Sequence, residues 1–309
     1  MTGDDISALA AAQGGLVVAS QLRPLGLNQR QANRFFQREG WTRVRLDAWL
    51  RPGRVPGHRE VLGAYQLARP QLVVSHWAAA ELHDLETHTE RRLDFTGPPA
   101  SRHRVGGGTL HRLPLDPDET TTMAGGLKVT TVARTLADLL RSGPRDEALV
   151  AVDSALSRRP SRAPGSRCSR GSLTSLDDVR RSLDRAPVMR GAKVAVEWLL
   201  LADPRAGSPA ETLARLRMHD AGLHPETQVL LVTPNGRRAY PDFFFRARGL
   251  VVEIEGYAWH GSRAQHQRDT VRFNDLSACP EVRRILRFTA ADVFHRAYVM
   301  IRDIRSALG

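Results

Sequence analysis

One stretch, AYPDFFFRARGLVVEIEG at positions 239–256, constrains the fold more than any other part of the chain. Two runs of β-branched and aromatic residues flank the short connection RARG, and this pattern predicts a β-hairpin whether two or four residues form the loop. Either loop length gives the same register, in which Asp242 lies opposite Glu253. Because side chains alternate along a strand, Glu255 shares their face. The sequence therefore predicts three carboxylates on one patch of a strand pair.

Three carboxylates on one patch repel one another unless a cation lies between them. Mg²⁺, or Mn²⁺ in its place, binds through one or two carboxylates together with water and phosphate oxygens, so the hairpin is a candidate site for metal-assisted phosphodiester hydrolysis. The alternative is that the acids solvate the exposed face of an edge hairpin. The run Phe243–Phe245 and the apolar Val251 favour a hairpin buried on both faces, where acids without a partner are costly.

Several short motifs follow one another between about residues 201 and 309: Ser208-Pro209-Ala210-Glu211, Tyr240-Pro241-Asp242, Glu253-Ile254-Glu255-Gly256, His260, the Asp269 to Arg272 spacing, and Ile285-Leu286-Arg287-Phe288. Together they resemble the DUF559 family, which is similar to the very-short-patch-repair endonucleases and belongs with the PD-(D/E)xK nuclease fold. The resemblance implies a mixed sheet flanked by helices and a Mg²⁺-dependent DNA endonuclease. In such a site Asp242 and Glu253 would hold the metal, Glu211 and Glu255 would complete or extend its shell, and His260 would assist proton transfer.

Glu211 has two explanations that the sequence leaves open. Ser208 is a good N-cap residue, Pro209 suits the first helical position, and Glu211 occupies the third. In a capping box the Glu211 carboxylate closes back on the Ser208 amide. In the nuclease interpretation, which the resemblance implies, the same carboxylate reaches the metal from the first helix of the fold.

The chain departs from the nuclease signature at one position. A lysine normally stands two residues after the second acid, but Glu255 occupies that place and no lysine follows Lys193. The group that activates water is therefore unassigned: a third acid could bind a second metal, His260 could act as the base, or catalysis could be lost. Asp269 and Arg272 are spaced for one helix face, where they could simply form an ion pair worth about 0.3 kcal/mol.

Composition sets broader bounds. A chain of 309 residues is too long for one ordinary core, so two or three domains are expected. No apolar run approaches the roughly 18 residues of a membrane span, and the acidic start lacks the features of a secretory signal, so a cytoplasmic protein without a membrane partner is expected. The net charge of +12 is carried almost wholly by arginine, which suits phosphate recognition.

Residues 5–52 predict three helices followed by a short β-ribbon, which is a winged-helix pattern with the third helix offered to the major groove of double-stranded DNA. Asn28 and Gln31 can form a capping box at the start of that helix. The basic side chains expected to face DNA from the helix and the ribbon are Arg30, Arg34, Arg38, Arg43 and Arg45. The alternative is a small helical packing module whose arginines only solvate it.

The middle of the chain alternates strand and helix, most clearly at residues 72–80 and 126–140. Taken with the winged helix, residues 5–155 resemble the AbiEi-type antitoxins of type IV toxin–antitoxin systems. That resemblance implies a DNA-binding or regulatory arm, with a toxin protein as a possible partner, and it implies no catalysis. His76 and Trp77 suggest an active site, but a lone histidine beside apolar residues favours a structural role.

These patterns predict a multidomain α/β protein. The expected domains are a winged helix at 1–58, an antitoxin-like α/β region at 59–155, a basic linker with a helical segment at 156–200, and a PD-(D/E)xK-like nuclease domain at 201–309. Basic residues outnumber acidic ones everywhere except in the middle region, which fits nucleic-acid contact at both ends. The leading hypothesis is a Mg²⁺-dependent endonuclease, and the alternative is a non-catalytic antitoxin-like repressor.

Overall fold

The structure of the protein is a computed structural model that describes residues 3–45, 47–87, 92–157, 159–160, 169–186, 188–255 and 263–309. It is a mixed α/β protein with several separate sheets. No helix in the described segments is both long enough and apolar enough to cross a membrane.

The first part of the chain alternates short strands and helices. Its helices are α1 (Gly3–Ala12), α2 (Gln29–Arg38), α3 (His58–Ala68), α4 (His76–Leu82) and α5 (Val132–Ser142). Its strands are β1 (Leu16–Val18), β2 (Thr42–Arg43), β3 (Ala48–Leu50), β4 (Val73–Val74), β5 (Asp94–Gly97), β6 (Thr109–Arg112), β7 (Thr120–Met123) and β8 (Leu127–Thr130).

The remainder of the chain carries the predicted acidic hairpin. Its helices are α6 (Arg145–Leu156), α7 (Leu176–Asp184), α8 (Ala192–Leu199), α9 (Pro209–Asp220), α10 (Arg263–Ala278), α11 (Ala290–His295) and α12 (Ala297–Leu308). Its strands are β9 (Arg159–Pro160), β10 (Ser169–Arg170), β11 (Glu226–Thr227), β12 (Leu231–Val232), β13 (Arg238–Ala239), β14 (Phe243–Phe245), β15 (Leu250–Glu255) and β16 (Arg284–Thr289).

The chain divides into two compact units. Unit 1 consists of Met1–Gly143 and Thr174–Ala195, and unit 2 consists of Pro144–Leu173 and Val196–Gly309. Each unit has its own core, as expected for a chain of this length. The two units are described separately below.

Unit 1 contains two sheets. The small antiparallel sheet has the order β1-β3-β2, and a core of Val17, Phe36 and Trp49 joins it to the first helices. The larger sheet has the order β6-β5-β4-β8-β7, with the β4–β8 and β5–β6 pairs parallel. The strand–helix steps predicted at 72–80 and 126–140 are confirmed as β4–α4 and β8–α5.

Unit 2 is built on a mixed sheet with the order β11-β14-β15-β16, in which only β15 and β16 run parallel. Helix α9 packs against β15. A core on the sheet joins Phe244 and Val251 of the hairpin to Leu276 in α10. The hairpin is thus covered by helices and its apolar residues are buried, as its run of phenylalanines predicts.

The boundaries of the two compact units differ from the expected domain boundaries. Helix α6 lies within the expected region 59–155, yet it belongs to unit 2 because the buried carboxylate of Asp153 accepts hydrogen bonds from Thr212 Oγ1 at 2.9 Å and Arg215 Nη2 at 2.8 Å. Helix α7 lies within the expected linker 156–200, yet it packs on α5 in unit 1. Residues 161–168 of that linker lie outside the described residues, and the short strands on either side of them, β9 and β10, pair with each other.

Candidate active site

The acidic hairpin has the predicted register. Phe245 pairs with Leu250 and Phe243 with Val252, so one further step brings Asp242 opposite Glu253. Two hydrogen bonds cross between the strands at this pair of acids. The Asp242 amide donates to Glu253 Oε1 at 2.8 Å, and the Ile254 amide donates to Asp242 Oδ2 at 2.9 Å. The prediction that Asp242 and Glu253 are cross-strand neighbours is confirmed.

Both acids are withdrawn from solvent. Asp242 is 5% exposed, and the side chain of Glu253 is 13% exposed. Two carboxylates this close and this buried require a positive partner, because isolated buried charges are costly and like charges repel.

Arg272 of α10 supplies that positive charge. Its Nη2 lies 2.7 Å from Asp242 Oδ1 and 3.0 Å from Glu253 Oε2, and it also donates to the Tyr240 carbonyl at 3.1 Å. Burial opposes the charge of Arg272, but the two carboxylates outweigh burial and raise the pKa of the guanidinium. The spacing of Asp269 and Arg272 suggested an ion pair between them, and the side chain of Asp269 lies outside the described residues.

Gln228 also belongs to the site, although no sequence motif pointed to it. Its amide Nε2 donates to Asp242 Oδ1 at 3.0 Å, and its backbone N–H donates to the Asp242 carbonyl at 3.2 Å. The φ angle of Gln228 is +48°, a left-handed conformation that is uncommon for residues other than glycine. This kink separates β11 from β12 and turns the side chain toward the acid pair. Such strain is frequent at functional sites.

Glu211 lies in the cap of α9, but its contacts differ from the predicted capping box. Its Oε1 accepts from Ser208 Oγ at 2.9 Å and its Oε2 accepts from the Gly207 amide at 2.7 Å, rather than from the Ser208 amide. Burial, and then the charge of Asp242, raise the pKa of Glu211. Glu211 and Asp242 also line the same small cavity of about 10 Å³, which is close to the space that one water molecule needs.

The pKa of Glu253 is strongly perturbed by its surroundings. Burial first, and the neighbouring Asp242 charge second, raise its pKa to about 7 even though Arg272 pulls the value down. Arg272 therefore does not fully offset the combined effect of burial and the Asp242 charge on Glu253. An acid with a pKa near neutrality also exchanges its proton readily at physiological pH.

Glu255 does not join this cluster. The exposed Glu255 carboxylate is held by Arg287 Nε of the adjacent strand at 2.5 Å. His260 lies outside the described residues. Among the described residues, no three Asp, Glu, His or Cys side chains are grouped as metal ligands. The donor set that the structure brings together is Asp242 and Glu253, with Glu211 beside it.

An open cleft adjoins the acid pair. It has a volume of about 660 Å³, and Gln228 and Arg272, which touch Asp242, also line it. A ligand in the cleft would therefore meet the two side chains that donate to Asp242 Oδ1. This volume lies within the range of small-molecule pockets.

The N-terminal arginines differ in their surroundings. Arg30, Arg34 and Arg38 are exposed along α2, whose predicted capping box between Asn28 and Gln31 is confirmed. Arg43 is also exposed. Arg45 was expected to point outward, but this expectation is wrong, because its guanidinium stacks 3.2 Å from the centre of the Tyr65 ring and the residue is half-buried. A cation over an aromatic face is stabilised by the ring quadrupole.

His76 is buried in unit 1, with 3% of the residue exposed. Its ring stacks on His111 with the centroids 3.4 Å apart, and its Nδ1 lies 2.9 Å from Ser75 Oγ. Burial first, and the neighbouring His111 second, lower the pKa of His76 to about 3, so the ring is neutral. These contacts support the structural role that the apolar surroundings favoured.

Comparison with known proteins adds distant similarity. No family model matches the chain. Two uncharacterized proteins of Mycobacterium tuberculosis, MT2308 and Rv2248, are each 32% identical to it over 152 residues. The match covers 49% of this chain and 51% of each relative, so the chain spans about half the length of the curated relatives it matches.

Proposed function

We propose that unit 2 is a Mg²⁺-dependent DNA endonuclease of the PD-(D/E)xK type and that α2 is part of a winged-helix arm that binds double-stranded DNA. The observation that carries the proposal is the Asp242–Glu253 pair. It is buried and lies beside an open cleft, and burial together with the neighbouring Asp242 charge raises the pKa of Glu253 to about 7. Perturbed carboxylates beside a cleft are characteristic of catalytic sites.

The residues present fit a hard divalent cation. Asp242 and Glu253 offer the carboxylate oxygens that Mg²⁺ prefers, and one or two such groups suffice when phosphate and water complete the shell. The raised pKa of Glu211 marks the same negative region, so Glu211 would support the ion from α9. When bound, the ion would neutralise charge on the phosphate and lower the pKa of a bound water molecule.

The protein groups have separate tasks in this proposal. Arg272 contacts both acids and lines the cleft, so its guanidinium can turn from the carboxylates to a phosphate oxygen, which it recognises well. Glu253, whose pKa is about 7 in the metal-free protein, would share with Asp242 the task of holding the ion. Gln228 holds the Asp242 carboxylate in place through its amide.

Plasmid nicking tests the proposal. We expect wild-type protein to nick supercoiled DNA in Mg²⁺ or Mn²⁺, and Asp242→Asn and Glu253→Gln each to reduce the rate by roughly 100-fold or more, since each removes charge that acts on the reacting phosphate. Calorimetric titration should show metal binding that weakens below pH 7, because Glu253 must release its proton to bind metal.

A matched control is available on α12. Asp303 is a partly exposed acid that pairs with Arg302, so Asp303→Asn should nick and bind metal as wild type does. Wild-type protein that neither binds metal nor nicks, but still binds duplex DNA, would contradict the nuclease assignment.

A second candidate function is a non-catalytic, antitoxin-like transcriptional repressor of a type IV toxin–antitoxin system, acting with a toxin protein. Two observations favour it. Arg272 already gives both acids a positive partner, so the pair can be a purely structural element. The exposed arginines of α2 can bind phosphates whether or not unit 2 cuts DNA.

Removing the exposed arginines of α2 should weaken the binding of duplex DNA. We expect the double variant Arg30→Ala/Arg34→Ala to bind a short duplex more weakly for all sequences and to reduce the slope of log K against log salt by about 2, one unit for each lost phosphate contact. Fluorescence anisotropy over a salt series measures both. Arg102→Ala removes another exposed arginine of unit 1 and should leave affinity and slope unchanged. An unaltered slope in the double variant would contradict the role of α2.

A further inference from the structure

The cleft beside the acid pair has the chemistry of a nucleotide site. Its volume is about 660 Å³, and the residues that define its character are Gln228, Arg238, Tyr240, Gln267, Val271 and Arg272. They offer three kinds of surface: apolar faces, side-chain amides and guanidinium groups. A nucleotide presents the complementary set, which is a base face, base edges and a phosphate.

The apolar surface of the cleft is open to solvent. Tyr240 is 44% exposed and Val271 is 44% exposed, although both are bulky side chains that proteins usually bury. Stacking a base on an exposed aromatic ring is favourable for every base, because every base has a π face. The backbone of Tyr240 is held beside the site, since its carbonyl accepts a hydrogen bond from Arg272.

Two guanidinium groups of the cleft can meet a phosphate. Arg238 and Arg272 are both on its wall, and Arg272 also pairs with Asp242 and Glu253. Asp275 is an acid on the same wall, but Arg237 Nη2 lies 2.6 Å from its Oδ2 and offsets its charge. The arrangement is thus two guanidinium groups beside an exposed ring, with the amides of Gln228 and Gln267 available to base edges.

We propose that this cleft binds a single unpaired nucleotide of a DNA strand, with its base on Tyr240 and its phosphate between Arg238 and Arg272. The inference rests on the proposed function and names the substrate class of the same site: single-stranded or locally unpaired DNA. In a duplex the faces of a base are covered by its neighbours, so a stacking surface of this kind requires a base that has left the helix. The adjacent phosphate of that strand then lies next to Asp242 and Glu253.

Fluorescence anisotropy with the full chain tests the inference. The probe is a labelled single-stranded oligothymidylate of a few nucleotides, measured in EDTA so that no strand is cut, and in an Arg30→Ala/Arg34→Ala background that weakens the α2 arm. We expect Tyr240→Ala to reduce affinity by about 10-fold, the loss of one stacked base, and Arg238→Ala to reduce both affinity and its salt dependence. Tyr240→Phe keeps the ring and should restore binding.

Tyr298 provides the matched control. It is 73% exposed on α12 and does not line the cleft, so Tyr298→Ala should bind the probe as the background protein does. Equal affinity in Tyr240→Ala and its background would overturn the inference, as would the same Tyr240 dependence for a fully paired duplex. This measurement of binding involves no cutting. The nuclease proposal, tested by nicking in Asp242→Asn, and the nucleotide-binding proposal, tested by oligonucleotide affinity in Tyr240→Ala, can therefore be wrong independently of each other.

Discussion

At pH 4, we expect the folding stability of unit 1 to fall by about 3 kcal/mol relative to pH 7 through His76 alone. The pKa of His76 is about 3 in the folded protein, against the 6.5 of a freely solvated histidine, which represents the unfolded chain. Between these values the unfolded state binds a proton that the folded state does not. The contribution of His76 is therefore complete above pH 6.5 and is lost as pH falls toward 3.

The charged groups around His76 explain why the folded ring resists protonation. The His111 ring stacks on it, and Arg134 and Arg141 of α5 also disfavour a positive charge, whereas only Asp94 favours one. Asp138 titrates in the opposite sense, because burial raises its pKa and its contribution is lost as pH rises. The effect of His76 must therefore be measured as a difference between two proteins.

His76→Asn provides that difference. Asparagine tolerates the left-handed backbone at this position, where φ is +50°, and it does not titrate. Urea unfolding followed by tryptophan fluorescence at pH 4 and pH 7 should give a pH-dependent loss of free energy about 3 kcal/mol smaller in the variant than in wild type. His103→Asn alters an exposed histidine and should keep the wild-type dependence. Equal pH dependence in wild type and His76→Asn would contradict the burial of a neutral ring.

Local sequence signals predicted the parts of the site that depend on neighbours in the chain. The cross-strand position of Asp242 and Glu253 follows from alternation and from the length of one loop, so the register could be predicted from the residues themselves. The N-cap contact, in which Ser208 Oγ accepts from the Glu211 amide, spans three residues and was predicted for the same reason. Such patterns are set by backbone geometry over one or two turns.

Contacts between distant segments were not predictable in this way. Arg272 reaches the acid pair from α10, and Gln228 reaches it from a kinked backbone two strands away along the chain. Neither contact has a sequence signature, because any arginine or glutamine on the right element could make it. The prediction for Arg45 was wrong for a related reason. Alternation predicted on which side of the ribbon the side chain lies, but the Tyr65 ring on which its guanidinium stacks belongs to α3. The packing of α6 on α9 is likewise a tertiary contact.

Removing Arg272 separates the two proposed functions most sharply. Without metal at pH 8, we expect Arg272→Ala to lower the free energy of unfolding by about 2 kcal/mol, because Asp242 and Glu253 lose their positive partner while both remain buried. This value is below the usual cost of breaking a buried ion pair, since the Arg272 side chain is 47% exposed. At pH 6 the loss should be smaller, because Glu253, with a pKa of about 7, is then mostly protonated and carries less charge.

The response of this variant to Mg²⁺ decides what the acid pair is for. If the pair is a metal site, millimolar Mg²⁺ should restore stability in Arg272→Ala more than it stabilises wild type, because ion and guanidinium compete for the same oxygens. The double variant Arg272→Ala/Asp242→Asn should lose that response. Arg237→Ala is the matched control, since Arg237 pairs with Asp275 of α10 and contacts neither acid of the pair in the described structure. A destabilised Arg272→Ala that Mg²⁺ does not restore would mark Arg272 as a permanent structural counter-ion, and the DNA-binding repressor would then be the better assignment.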